Sequence, residues 1–144
     1  MSAENKALVC RLIEEVQNQH HLDRLDEFFA PDFINHLDHR GDSSELNSVE
    51  KTRLFFRAFI AAFPDLHVTI HNQLAEADKV VTHKTFHGTH QGEFMGLPPT
   101  GKQIALEIID ILRLANGKVV EHWAVRDQMG MMQQLGLVPT SDQS

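Results

Sequence analysis

The chain carries a single cysteine, Cys10. One thiol cannot close an internal disulfide, so a reducing compartment fits. Clustered basic residues are also missing. Thirteen Lys and Arg are scattered against twenty Asp and Glu, for a formal net charge of -7. Phosphate recognition needs grouped cations, so this balance argues against nucleic acid and against an anionic bilayer surface as partners. No apolar run approaches the roughly 20 residues of a membrane helix. The opening MSAENKALVC has no apolar signal core, so the chain is expected to be soluble and cytoplasmic. Internal repeats are absent too.

Ten histidines invite a metal hypothesis. His83 and His87 share one strand face, and His36 and His39 fall in a polar segment. No HExxH or comparable ligand spacing accompanies them, so no metal is expected. The glycines at 88, 92, 96 and 101 read as turn positions. They make no phosphate loop, because GKQ lacks a Ser or Thr after the Lys.

What is present is enough apolar sequence for a core: 42% of 144 residues, the size of one domain spanning 1–144. Leu8, Val9, Leu12, Ile13 and Val16 lie at helical spacing, predicting a helix over 3–20. A short second helix follows, with Leu22, Leu25, Phe28 and Phe29 as its apolar face, and Pro31 ends it. Residues 32–47 read as a loop. Phe56, Phe59, Ile60 and Phe63 mark a helix over 48–63, stopped by Pro64. The period then changes to two. Strands are predicted over 66–74, 79–88, 103–114 and 119–125, with an irregular loop over 91–101. Asn116-Gly117 is the strongest hairpin signal. A last helix covers 128–135, closed by Gly136 and Pro139, and a tail over 139–144 is expected to be disordered. Helices first and hairpin-linked strands after them predict an α+β fold. Its curved antiparallel sheet would be covered on one face and enclose a conical cavity.

One segment speaks to chemistry. At period two, Val119, Glu121, Trp123, Val125 and Asp127 share a strand face that is apolar except for two carboxylates. An acid on a buried face must be paired, hydrogen-bonded or protonated, and a raised pKa would suit a general base.

Four segments carry a family resemblance: FFAPDF at 28–33, AFPDL at 62–66, GTHQGEFMGLPPTGK at 88–102 and EHWAVRDQMGMMQQLG at 121–136. In combination, over nearly the whole chain, they resemble the SnoaL-like polyketide cyclases, or ester cyclases, of the nuclear transport factor 2-like superfamily. The resemblance implies a cone-shaped α+β barrel that assembles as a homodimer or homotetramer. It implies a small hydrophobic ligand bearing carbonyl groups and chemistry without cofactor or metal. The founding members close a ring of a polyketide methyl ester by intramolecular aldol condensation, with an aspartate removing the proton. The resemblance matches that aspartate to Asp127. The founding cyclases pair it with a histidine on the preceding strand, where this chain has Arg113.

The candidate catalytic residues are therefore Asp127, with His36 and His90 as carbonyl partners or proton shuttles. Asp127 has a second reading, as the N-cap of the last helix. Trp123, Phe33, Phe59 and Phe94 are candidate walls for a ligand; Phe94 could instead bury at a subunit interface. Glu121 is either a pocket acid or a rim residue paired with Arg113 or Lys118. Asp110, inside Ile108–Leu112, is either a second cavity acid or half of a buried ion pair with Arg113 or Arg126. A non-catalytic binding module, and a hydrolase or isomerase on the same scaffold, are the rival functions.

Overall fold

The computed structural model describes residues 2–36 and 48–137. The predicted closing Pro139 and the tail over 139–144 lie outside the described residues, as does most of the polar segment before residue 48. Helix α1 (Ser2–Leu12) buries Val9 and Leu12. It then widens into a π-helical turn, Ile13–Asn18, in which the Gln19 N–H donates to Glu14 O, five residues back, at 2.9 Å. A 3-10 turn (Leu22–Arg24) leads into the short helix α2 (Leu25–Phe28).

The chain turns next into strand β1 (Phe29–Asn35), where the sequence predicts helix end and loop. Pro31-Asp32 looks like punctuation, but a Pro is tolerated on an edge strand, which does not need every N–H. Helix α3 (Ser48–Ala62) has the predicted amphipathic face, with Phe56 and Phe59 buried. Strands β2 (His67–Glu76), β3 (Lys79–Thr89), β4 (Gln103–Ala115) and β5 (Lys118–Arg126) follow, and helix α4 (Gln128–Gln134) ends the described chain.

The sheet order is β1-β5-β4-β3-β2. Neighbours from β2 to β5 are antiparallel, but β1 runs parallel to β5. The sheet is therefore mixed, a correction to the purely antiparallel expectation that follows from finding β1 as a fifth strand. The α+β class stands. At the β4–β5 hairpin both Asn116 (φ 54°) and Gly117 (φ 77°) adopt positive φ, as a type I′ turn requires.

Alternation decides the faces. On β4, Ile104, Leu106, Ile108, Asp110, Leu112 and Leu114 are buried, and on β3 Val80, Thr82, Lys84 and Phe86 are. They face α1 and α3, and the core lies between. The opposite face carries exposed Ile34, Ile109 and Val125. At Gly92 an added Cβ would lie 2.2 Å from the Ala61 carbonyl oxygen. That glycine is a close approach of loop to helix α3.

Candidate active site

The inner face of the sheet and the helices over it enclose a cavity of about 850 Å³. Ile13 and Gln17 of the π-helical turn form one wall, and Phe55, Phe56 and Phe59 of α3 form the roof. The sheet contributes a polar patch: Asn35, Lys84, Asp110, His122 and Arg126. Phe94 and Met95 close one side from the loop after β3, where Phe94 and Leu97 exchange backbone hydrogen bonds.

The patch is a connected chain. Lys84 Nζ lies 2.8 Å from Asp110 Oδ2, and both side chains are almost fully buried. His122 Nε2 is 3.7 Å from the same carboxylate oxygen. His122 Nδ1 is 3.0 Å from Asn35 Oδ1. An amide oxygen only accepts, so Nδ1 carries a proton there. Burial alone would push the Asp110 carboxyl up. The Lys84 ammonium, joined by His122 when that ring is protonated, outweighs it and holds the group below the usual carboxylate range. Asp110 Oδ1 is buried and has no hydrogen-bond partner among the described residues. Lys84 also sits 5.4 Å from the Phe86 ring centroid, a cation–π contact.

The predicted site residues divide. Asp110, Phe33, Phe59 and Phe94 line the cavity. Asp110 pairs with Lys84, not with Arg113 or Arg126 as its sequence neighbours suggest. Asp127, Trp123, Glu121, Arg113, His36 and His90 do not line it: Glu121 follows its rim reading, paired with Arg113, and Asp127 its helix-cap reading. Asp127 is exposed and caps α4, its Oδ1 accepting the Gly130 N–H at 2.9 Å. Trp123, Glu121 and Arg113 lie on the outer face. There the His36 ring stacks on Trp123 at 4.7 Å, and Glu121 bonds His36 Nε2 at 2.9 Å and the Arg113 guanidinium. His36 and Arg113 together hold the Glu121 carboxyl below its ordinary value. His90 is fully buried outside the cavity. Its Nδ1 accepts the Thr100 N–H at 3.2 Å and pins the irregular loop.

The face of β5 is inverted relative to the sequence reading because of a β-bulge. Leu114 pairs with Val119, but Arg113 pairs with Glu121, which leaves Val120 without a counterpart. One extra residue shifts every later side chain to the other face. Val119 is buried, and beyond the bulge His122, Ala124 and Arg126 point inward. The alternation in the sequence gives the cavity to the face of Glu121, Trp123 and Asp127, whereas His122 on the other face is the residue that meets it. Sequence reasoning missed Lys84 and Gln17 as well. Lys84 had a legible signal, since it shares parity with Val80, Thr82 and Phe86.

Among the described residues no helix is long and apolar enough to cross a membrane. Comparison with known proteins agrees with the fold. AclR, a candidate hydroxylase from Streptomyces galilaeus, is 32% identical, with 99% of this chain and 87% of that chain covered and a TM-score of 0.84. IdmH, a candidate polyketide cyclase from Streptomyces antibioticus, is 31% identical over 92% of this chain and 98% of that one, with a TM-score of 0.79. Nogalonic acid methyl ester cyclase of Streptomyces nogalater is 27% identical over 119 residues, 79% of this chain and 84% of that protein. The family model described as SnoaL-like polyketide cyclase matches residues 7–135, and the chain belongs to that family.

Proposed function

We propose that the cavity binds a hydrophobic, carbonyl-rich polyketide and that His122, with Asp110, performs acid–base ring closure on it. The observation that carries this reading is the pairing of buried Asp110 with part-buried His122 on the cavity wall, anchored by Lys84 on one side and Asn35 on the other. With Nδ1 protonated toward Asn35, the Nε2 lone pair of His122 is available to a carbon acid. In the proposed step Nε2 removes a proton from a carbon between two carbonyls. The enolate carbon attacks a ketone, one C–C bond forms, and the imidazolium returns the proton to the new alkoxide. Atoms balance with no external oxidant or cofactor. Asp110, held ionised, stabilises the imidazolium, and Lys84 offers a donor to the developing oxyanion. The 3.7 Å separation suits an unliganded site, in which catalytic hydrogen bonds are commonly long.

Nogalonic acid methyl ester, named for the S. nogalater relative, is the first substrate to try. His122→Gln should lower turnover by roughly 10²–10⁴-fold while ligand binding persists. Full activity in that variant sinks the mechanism. A second reading is hydroxylation, favoured by the 32% identity to AclR. It consumes dioxygen and a two-electron reductant, so its product gains one oxygen atom, whereas aldol closure leaves the product isomeric with the substrate. Product mass separates the two. We also propose that two copies pair through the outer sheet face, where Ile109, Ile34 and Val125 are exposed. Light scattering on Val125→Lys tests it: a shift from dimer to monomer is expected, and an unchanged mass removes this interface.

A further inference from the structure

Gln17 is buried, at 7% exposure, on the cavity wall contributed by the π-helical turn. Its Oε1 is shielded from solvent and has no hydrogen-bond partner among the described residues. Neighbouring polar side chains on the same turn are all engaged in holding the fold. Asn18 Oδ1 accepts the Val68 N–H at 2.6 Å. Glu14 takes hydrogen bonds from Asn18 at 3.2 Å and from Gln19 at 3.1 Å. A buried amide without a partner destabilises a fold unless something else satisfies it. An apolar residue at position 17 would serve a purely structural wall better. The π-helical turn itself is a rare form that is frequent at functional sites.

We propose that Gln17 is a specificity-determining residue whose amide oxygen accepts a hydrogen bond from a ring hydroxyl of the bound ligand. This rests on the reading that the cavity takes a polyketide-like molecule. Two observations point to an O–H donor. Asp110 Oδ1, the other cavity-lining oxygen that is buried without a partner, is also an acceptor. The roof of Phe55, Phe56 and Phe59 selects a flat ring, so the donor sits on the ring's edge. The class of ligand is a phenolic or enolic polycycle, with the hydroxyl toward α1 and the reacting carbonyls toward Lys84 and His122.

The test uses three probes of one skeleton: β-hydroxyanthraquinone, β-methylanthraquinone and β-methoxyanthraquinone. Affinities are measured by calorimetry at mildly acidic pH, where the phenol keeps its proton. Wild-type protein should bind the hydroxy compound about tenfold tighter than either other probe, the worth of one net hydrogen bond. Gln17→Met, of similar length and without an acceptor amide, should erase that preference and leave binding of the methyl compound unchanged. Equal wild-type affinities overturn the inference and need no variant. So does a preference that survives in Gln17→Met, or a methoxy compound that binds as well as the hydroxy one, which would make Gln17 a donor. Binding of the methyl probe without preference removes only the role of Gln17. Failure of all three to bind removes the cavity reading with it.

Discussion

Replacing Asp110 by Asn tests the buried polar patch most directly. The change keeps shape and removes one charge. It leaves the Lys84 ammonium, at 4% exposure, without the carboxylate 2.8 Å away. Stranding a buried ion by removing its partner costs about 3–5 kcal/mol, a large share of a domain's roughly 5–15 kcal/mol. At about 2–4 °C per kcal/mol for a chain near this size, the midpoint should fall by about 6–20 °C. Replacing both partners, as in Lys84→Met with Asp110→Leu, strands nothing. That double variant should lie close to wild type or above it by about 1–4 kcal/mol. Thermal and urea unfolding followed by circular dichroism, arranged as a double-mutant cycle, reads the coupling. If Asp110→Asn stays within about 0.5 kcal/mol of wild type, or the double variant is as unstable as the single one, the patch is not the buried pair described. A pH series adds a sign. The folded pKa of Asp110 lies below its unfolded value. Its contribution is therefore complete above the ordinary carboxylate pKa of about 4. It disappears as pH falls through the lowered folded value. The gap between wild type and Asp110→Asn should narrow in acid.

Two further outcomes separate the site from its surroundings. Asp127→Ala should cost about 1 kcal/mol, the usual worth of an N-cap, and leave the turnover number unchanged. A loss of turnover matching that of His122→Gln would return the catalytic role to Asp127. Deleting Val120 removes the unpaired bulge residue while Val119 stays inward and His122 keeps its face. It should fold and retain more turnover than deletion of Ala124, which inverts the end of the wall. Equal damage from the two deletions would refute the bulge assignment.

Much of the architecture was legible because its signals are local. The spacing of Phe56, Phe59 and Phe63 dictates α3. Strict parity from Ile104 to Leu114 reveals both the buried face of β4 and the anomaly of Asp110 within it. Strand β1 was not legible, because its pairing with β5 is parallel and distant in sequence. Nothing near Pro31 announces such a partner. The π-helical turn was hidden for a related reason. Ile13, Val16 and Gln17 fit an ordinary helical face, and only the five-back hydrogen bond to Glu14 distinguishes the two.

The site was misread at one point, and the cause lies in how a strand transmits position. Counting outward from Asn116-Gly117 in a regular hairpin puts Asp110 opposite Trp123, and the acid, the ring and Asp127 then seem to share a cavity. The unpaired Val120 moves Asp110 opposite Ala124 and Leu112 opposite His122. A second bulge does the same on β2. Ile70 pairs with Lys84 but Asn72 pairs with His83, so Leu74 emerges on the outer face at 69% exposure. Bulges have no compositional mark in Val119-Val120 or Ile70-His71, where apolar and polar residues fit either side. Yet a bulge decides which of two adjacent residues, His122 or Trp123, meets Asp110. The acid–base pair is thus a product of register, and the bulge keeps that register by leaving Val120 out of the pairing.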